Sequence, residues 1–341
     1  MQRVTMMGFR VFLQFYVMTC SLIGIFGLEN EVYKSSKILW SPDVALLGLE
    51  PRIVNGTKAT LGQFPHQVSL RRSRSNGHFC GGNIIAPEWI LTAGHCMFNR
   101  DGIQIQPWTI TVVAGQVVLG PTKPESQKRA VEAILLHADF ERDTLTNDVA
   151  LLKLTNPLVL NTPNVRAARF VKMPVPIGTV CEVAGWGYLS EEKPWVSNDL
   201  MFVSLPTMNI EYCRELYKEE ATIPDGAFCA GYDEGLRDAC LGDSGGGMVC
   251  GGFLAGVVSG GKGCAEPKFP GAYSDVYYFR DWIRDQMRSF NATSLEPSDW
   301  EKMIVDSNDQ SNGSVHPSSY FSVSLLTITY TFVTYFGVST F

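Results

Sequence analysis

Residues 239–250 read ACLGDSGGGMVC, and this stretch allows two incompatible interpretations. Gly242, Ser244 and Gly246 satisfy the G-x-S-x-G nucleophile elbow of lipases and esterases, which needs a strand, a sharp turn and then a helix. The same letters contain Gly-Asp-Ser-Gly-Gly, which surrounds the nucleophile of a different set of hydrolases. The choice between the two decides the fold.

The residues that follow Ser244 argue against the elbow. Gly245, Gly246 and Gly247 would have to open the helix, and each glycine costs about 1 kcal/mol relative to alanine in a helix interior. An elbow enzyme also needs an acid and then a histidine after its serine. The one histidine that follows is His316, which lies in a polar segment. The sequence therefore excludes the esterase elbow.

Around this stretch the chain has an all-β pattern. Short runs rich in Val, Leu and Ile, separated by Gly, Pro, Asn and Asp, extend from residue 53 to about residue 289 and predict a sandwich or barrels. The clearest runs are residues 108–115, 148–154, 181–187 and 251–259. One helix is expected near the end, where apolar residues recur at helical spacing. They are Val276, Phe279, Ile283 and Met287.

Charge and cysteine content exclude other classes. The chain of 341 residues has a net charge of −6, which argues against nucleic acid because phosphate binding needs concentrated Lys and Arg. Eight of the nine cysteines lie between Cys80 and Cys264, and no C-x-x-C pair exists. An even set in a secreted chain predicts disulfides rather than a zinc site.

Both ends of the chain are apolar. Residues 11–28 carry no charge and follow two arginines, so residues 1–28 are interpreted as a signal peptide, although this run also touches the lower limit for a spanning helix. Residues 290–319 form a polar linker, and residues 320–341 form a second apolar segment.

Two motifs upstream supply a base and an acid for Ser244. LTAGHC (91–96) contains His95, and NDVALLKL (147–154) contains Asp148. The order His, Asp, Ser is the chymotrypsin order. With RIVNG (52–56) and YYFRDWI (277–283), these motifs make residues 52–289 resemble the trypsin-like serine proteases of the chymotrypsin family. The resemblance implies two packed antiparallel six-stranded β-barrels with a C-terminal helix, in a protease domain at residues 53–289.

The residue types suit that chemistry. A serine hydroxyl is a poor nucleophile until a base takes its proton, and the pKa of His95 suits that role near neutral pH. Asp148 would fix the His95 tautomer and stabilise the imidazolium. The backbone N–H groups of Gly242 and Ser244 would form the oxyanion hole, where a lost donor costs roughly 3 kcal/mol.

The motif PRIVNG implies activation of a zymogen. An activating trypsin-like protease would cut after Arg52, removing a propeptide at residues 29–52 and freeing the α-amino group of Ile53. This amine, with a pKa near 8, would pair with Asp243 and order the loop that carries Gly242 and Ser244.

The resemblance also assigns the substrate-binding residues. Asp238 would form the floor of the specificity pocket and select Arg or Lys before the scissile bond. Gly261 and Gly271 would leave its walls open, and Ser259 with Gly261 would pair with the substrate backbone. Ala239 stands where relatives often carry Ser, which favours Arg over Lys.

Four positions depart from the pattern of the family. Gly260 stands where a Trp is usual, so the neighbouring aromatic subsite is expected to be diminished. Gly247 replaces the usual Pro, Gly94 replaces a common Ala in the His motif, and Leu241 replaces a frequent Gln. None of the four belongs to the catalytic triad.

Eight cysteines allow 105 complete pairings, and the resemblance selects one of them, which has four disulfides. These are Cys80–Cys96, Cys181–Cys250, Cys213–Cys229 and Cys240–Cys264. Asn291 is the best glycosylation candidate among the N-x-S/T sequons, ahead of Asn55 and Asn312. No cofactor is expected, and no metal site either, because residues 115–129 hold a single carboxylate where some relatives bind calcium.

The C-terminal segment decides where the protein acts. Small residues at 311–314, a polar spacer and the apolar tail resemble a GPI signal. A spanning helix and a soluble protein with an apolar tail remain open, so the protein is expected at the cell surface or secreted. The function predicted is an endopeptidase for protein or peptide substrates cut after Arg or Lys. The alternative, a cell-surface protease-like binding module with little turnover, would be expected to have lost a triad residue.

Overall fold

The computed structural model describes residues 56–121, 123–190 and 193–290. Several predictions fall outside these residues: the signal peptide, the propeptide, the linker, the C-terminal apolar segment and Arg52, Ile53, Asn55, Asn291 and Asn312. In the part of the chain that is described, no helix is both long and apolar enough to cross a membrane.

Six strands form the first half of the described chain. After a short first strand β1 (Thr57–Lys58), they are β2 (Gln67–Arg72), β3 (His78–Ala86), β4 (Trp89–Thr92), β5 (Ile110–Ala114), β6 (Gln127–Leu136) and β7 (Ala150–Leu154). They pair antiparallel in the order β2-β3-β4-β7-β6-β5 and close into a barrel. Every residue of β5 (ITVVA) and β7 (ALLKL) is buried, as the apolar runs predict.

The second half is built from the remaining strands. They are β8 (Val180–Gly185), β9 (Tyr188–Ser190), β10 (Lys193–Val196), β11 (Met201–Pro206), β12 (Ala227–Ala230), β13 (Gly247–Cys250), β14 (Phe253–Gly260) and β15 (Gly271–Asp275). Strands β9 and β10 pair with each other, and the other six run in the order β11-β8-β13-β14-β15-β12, with β1 beside β11. The six strands close into a barrel where Met208 N–H donates to Cys229 O (2.8 Å) and Gly231 N–H to Pro206 O (3.0 Å).

Two α-helices complete the described chain, α1 (Ile210–Tyr217) and α2 (Val276–Phe290). The four buried residues of α2 are the predicted stripe, Val276, Phe279, Ile283 and Met287. They join the core cluster of the first barrel, and burial of each contributes about 1.5–3 kcal/mol. The predicted fold, two packed antiparallel six-stranded barrels followed by a helix, is confirmed.

Four disulfides join the pairs that the resemblance implies, and each lies within one half. Cys80–Cys96 connects β3 to the start of the short 3-10 helix His95–Met97 in the first half. The other three lie in the second half: Cys181–Cys250, Cys213–Cys229 and Cys240–Cys264.

The two halves meet along a seam of glycine backbone. Gly81 N–H of β3 donates to Ser244 O (2.8 Å), and the amide of Asn83 donates to Gly245 O (3.1 Å). A Cβ on Gly81 would lie 2.9 Å from Gly246 Cα, closer than a side chain can approach. Because Gly81 and Gly246 have no side chains, the loop of Ser244 can lie directly on the first barrel.

Candidate active site

His95 and Asp148 form a hydrogen-bonded pair at the edge of the first barrel. His95 follows β4 in the 3-10 helix, and Asp148 precedes β7. The imidazole Nδ1 lies 2.8 Å from Asp148 Oδ2, and the backbone N–H of His95 donates to Oδ1 at 2.7 Å. Two contacts to one carboxylate fix both the backbone and the ring of His95. Because ionised Asp148 only accepts, Nδ1 carries the proton and Nε2 is left as the basic nitrogen.

Two serines from the second barrel hold Asp148 in place. Ser259 Oγ donates to Asp148 Oδ2 (2.6 Å), and Ser274 Oγ donates to the backbone carbonyl of Asp148 (2.8 Å). The carboxylate is 1% exposed and accepts three hydrogen bonds, which compensates for its burial. Sequence reasoning placed Ser259 on the substrate-binding strand and missed Ser274, because neither contact is local in sequence.

The environment of His95 favours its protonated form. Burial lowers the pKa of its imidazole, while the negative charge of Asp148 and the hydrogen bond to it raise the pKa by more, so the balance lies above the ordinary value of 6.5. A base whose conjugate acid is stabilised by a buried carboxylate is suited to accept a proton during a reaction.

Ser244 lies in a loop that contacts the segments next to His95 and Ser259. Gly245 N–H donates to Val258 O (2.8 Å), one residue before Ser259. A Cβ on Gly245 would lie 3.3 Å from Ala93 N, two residues before His95. Within the described residues the Ser244 hydroxyl has no hydrogen-bond partner. The structure thus joins Asp148 to His95 and leaves Ser244 half-buried in a loop that contacts the neighbouring segments, with no hydrogen bond from its hydroxyl to a described residue.

Gly242 has a backbone conformation that favours glycine, and its carbonyl contacts a half-buried histidine, His78. Its φ is +101°, in the left-handed region. His78 Nε2 lies 3.0 Å from Gly242 O, and Nδ1 lies 2.8 Å from Ser69 Oγ. Because a carbonyl only accepts, Nε2 carries the proton and Nδ1 accepts from Ser69. Burial lowers the pKa of His78 to about 4, so the ring is neutral at pH 7. No sequence signal marked His78.

Asp243 points away from Ser244 into the second barrel. It is 0% exposed, and its carboxylate accepts from Gly187 N–H (2.7 Å) and Cys240 N–H (2.8 Å). A Cβ on Gly185 would lie 2.0 Å from Asp243 Oδ1, so the cleft admits this carboxylate only because glycine lines it. Burial raises the pKa of Asp243 to about 6 despite the two hydrogen bonds. In the described part of the chain no Lys or Arg forms an ion pair with it.

Asp238 is a second buried carboxylate of the second barrel. It is 4% exposed and accepts from Ala239 N–H (2.8 Å) and Ala265 N–H (3.3 Å). Burial raises the pKa of Asp238 to about 7, the two backbone hydrogen bonds lower it, and the charge of Asp243 raises it. A buried carboxylate without a cation favours a ligand that supplies one.

Glycines line the approach to Asp238. A Cβ on Gly271 would lie 2.9 Å from Asp238 Oδ1, whereas one on Gly261 would meet only ordinary contacts at 3.8 Å. The buried hydroxyl of Tyr273 has no partner there and lies 3.1 Å from the same Gly271 position. The predicted residues Asp238, Ala239, Gly261 and Gly271 are therefore brought together.

One cluster of metal-binding residue types lies in the described residues, and its chemistry does not suit a metal. Cys80, His95 and Cys96 place their ligand atoms within 4.8 Å of one another. The two sulfur atoms are joined in a disulfide, so neither is a thiolate that could bind a metal ion.

Comparison with known proteins places this geometry in context. The trypsin family model matches residues 53–283. The chain is 35% identical to trypsin-2 of Salmo salar over 241 residues, which cover 71% of this chain and 97% of that protein. It is 38% identical to trypsin-1 of Astacus astacus over 240 residues, covering 68% and 98%. It is 35% identical to human trypsin-3 over 236 residues, covering 69% and 73%.

Proposed function

Because this chain belongs to the trypsin family and is a serine endopeptidase, we propose that His95, Asp148 and Ser244 are its catalytic triad. The observation that carries the proposal is the pairing of His95 with a buried Asp148, which leaves the basic Nε2 on the side of the ring away from the carboxylate. The hydroxyl of Ser244, which has no other partner in the described chain, then turns toward Nε2 when substrate binds.

The reaction follows from these positions. Ser244 Oγ attacks the carbonyl carbon of the scissile bond while its proton passes to Nε2 of His95. Asp148 stabilises the imidazolium that forms. The N–H groups of Gly242 and Ser244 donate to the oxyanion, and His95 then gives its proton to the leaving amine. Water hydrolyses the acyl-enzyme by the same route.

Asp238 is proposed to select Arg, and less strongly Lys, before the scissile bond. Its carboxylate is buried without a cation, and its raised pKa reports the cost of that state. A guanidinium bound at Asp238 restores the ionised form and donates two parallel hydrogen bonds to it. The preference for Arg follows from Ala239, which offers no hydroxyl to a lysine ammonium.

Cleavage between Arg52 and Ile53 is proposed to activate the enzyme through Asp243. The support is a fully buried carboxylate with two backbone donors and no cation within the described residues. The freed α-amine of Ile53 would supply that cation, and Asp243 lies between the two residues that would form the oxyanion hole.

A cell-surface location through the C-terminus is proposed from the order of the chain. A cut after Arg52 would separate the N-terminal segment from the protease domain, while residues 291–341 would stay attached to helix α2. Four disulfides agree with an oxidising compartment. Treatment of intact cells with phosphatidylinositol-specific phospholipase C should release the enzyme if the anchor is GPI, and retention would contradict it.

One experiment tests the enzymatic proposal. The purified protein, cut after Arg52, should hydrolyse a short arginine amide, and Ser244→Ala should abolish the reaction without changing the thermal midpoint. Tight binding of the amide without turnover by the cut wild type would instead support the protease-like binding module.

A further inference from the structure

Asn83 is a buried amide at the seam between the two barrels, and the reaction described above does not use it. It lies on β3 and is 0% exposed. Its nitrogen donates to Leu91 O of β4 (3.3 Å) and, across the seam, to Gly245 O (3.1 Å). Because both partners are carbonyls, which only accept, the amide nitrogen faces them and Oδ1 faces the opposite way. Asn83 therefore fixes the carbonyl of the residue that directly follows Ser244.

The oxygen of the same amide is left without a donor. Oδ1 of Asn83 is buried and has no hydrogen-bond partner among the described residues. A buried acceptor without a donor destabilises the fold, and a leucine of similar shape would avoid that penalty. Stability of the first barrel alone therefore does not account for an asparagine at this position. The contact of its nitrogen with Gly245 O is the contact that reaches the proposed active site.

Gly247 is matched to this unpaired oxygen. A Cβ on Gly247 would lie 2.2 Å from Asn83 Oδ1, closer than a side chain can approach. The N–H of Gly247 also donates to Gln67 Oε1 (3.3 Å), and Gln67 is the residue opposite Asn83 in the pairing of β2 with β3. The proline that is usual at position 247 would lack this N–H and would place its ring against Oδ1. Glycine at this position therefore fits the amide beside it.

Strand β3 also holds the residue next to His95. Its Cys80 is joined by a disulfide to Cys96, which directly follows His95. Its Gly81 N–H donates to Ser244 O (2.8 Å), two positions before the amide that binds the next carbonyl. One strand therefore carries contacts both to the segment of the proposed base and to the loop of the proposed nucleophile.

We propose that Asn83 is a positioning residue, whose amide keeps the Ser244 hydroxyl in register with Nε2 of His95. The inference rests on the proposed function of Ser244 and His95. Without the amide, the loop of Ser244 is free to shift along the seam. A shift of about 1 Å slows a reaction that needs aligned atoms, even when the substrate stays bound.

Asn83→Leu tests this role in the enzyme cut after Arg52. The variant keeps the size of the side chain and removes its donor. For an arginine amide, kcat should fall about tenfold and KM should change less than twofold, because alignment is lost and binding is not. The acid limb of the pH profile of kcat/KM should keep its midpoint, since the contacts between His95 and Asp148 remain.

A matched variant separates positioning from a general loss of stability. Thr111→Val also removes a hydrogen bond of a buried side chain in the first barrel, the contact with Ser73 Oγ (2.9 Å). It should lower the thermal midpoint and leave kcat unchanged. Both variants are assayed well below their midpoints. A normal kcat in Asn83→Leu, or an equal loss of kcat in Thr111→Val, would overturn the inference.

A double-mutant cycle tests the match between Asn83 and Gly247, and it applies even if Asn83→Leu fails to fold. Gly247→Ala places a methyl group on Asn83 Oδ1 and should lower kcat at least tenfold. The other close atom, Leu254 Cδ1 at 2.7 Å, ends a flexible side chain that can move. In Asn83→Ala, where the oxygen is absent, Gly247→Ala should lower kcat by less than a further threefold. Equal losses in the two backgrounds would contradict the proposed match.

Hydrogen exchange in Ser244→Ala separates this inference from the proposed function. In that background Asn83→Leu should speed exchange of the Gly247 N–H at least tenfold, and Thr111→Val should not. If the wild type hydrolyses no arginine amide but this result holds, the proposed function fails and Asn83 still holds the loop. Unchanged exchange, together with normal turnover by Asn83→Leu, would leave the proposed function intact and remove the positioning role.

Discussion

Cutting the chain between Arg52 and Ile53 is expected to raise the free energy of unfolding at neutral pH, and Asp243 sets the size of the effect. Its pKa is about 6 in the folded protein against a usual value of 3.8. That difference corresponds to about 3 kcal/mol of instability at pH 7, because each pKa unit is worth about 1.4 kcal/mol. We expect the freed ammonium of Ile53 to offset this instability by pairing with the carboxylate.

The sign of the effect gives a pH profile. A carboxyl whose pKa is raised on folding favours the folded state only while it is protonated, so the uncut protein loses stability as the pH rises from about 4 to about 6. The cut protein should escape this loss until its α-amine deprotonates above about pH 8. The difference in the free energy of unfolding between the cut and uncut forms should therefore grow between about pH 4 and 6 and reach at most about 3 kcal/mol near neutral pH. It should decrease again at alkaline pH.

Urea unfolding followed by tryptophan fluorescence measures this gap. Both forms should carry Ser244→Ala, so that neither digests itself, and a separate trypsin-like protease makes the cut. Asp243→Asn is the control, because the neutral amide needs no cation. It retains one acceptor for two backbone donors, which costs about 1–3 kcal/mol but applies equally to both forms. A gap that is constant with pH, or that persists in Asp243→Asn, would refute the reasoning.

Three further changes follow from the site. Asp238→Ser should lower kcat/KM for an arginine amide about 1,000-fold, because the charge that attracts the guanidinium is lost. In the wild type, KM for this amide should rise as the pH falls below about 7, because protonated Asp238 no longer attracts the guanidinium. His78→Ala frees Gly242 O and should lower kcat about tenfold with little change in KM, in steady-state kinetics. Gly185→Ala places a methyl group 2.0 Å from Asp243 Oδ1, so arginine-amide turnover should fall at least 100-fold, and full activity would show that the carboxylate can move aside.

Much of the architecture could be predicted from the sequence because it depends on local patterns. The stripe of α2 and the apolar runs of β5 and β7 are periodic or continuous over a few residues, so each predicted its element. The predicted run at residues 108–115 is longer than β5, which begins only at Ile110 and ends at Ala114. Pro107 starts a 3-10 turn immediately before it.

The remaining features depend on contacts between distant segments. Ser274 is 126 residues from Asp148, and His78 is 164 residues from Gly242, and no local pattern marks either pair. A cavity of about 360 Å³, lined by Gly260, Asp148 and Ser259 among others, could not be predicted for another reason. A glycine in the sequence shows that a side chain is absent. It does not show whether neighbouring side chains, such as that of Leu145, occupy the free volume.

The distribution of the four disulfides has a consequence for how the enzyme loses activity on heating or in denaturant. No covalent link in the described chain, apart from the polypeptide itself, crosses the glycine seam between the barrels. His95 and Asp148 belong to one barrel and Ser244 to the other, so mild heat or denaturant is expected to separate the three proposed catalytic residues while both barrels remain internally crosslinked. Loss of activity should then precede unfolding and reverse on cooling, because the two barrels separate while each of them remains folded.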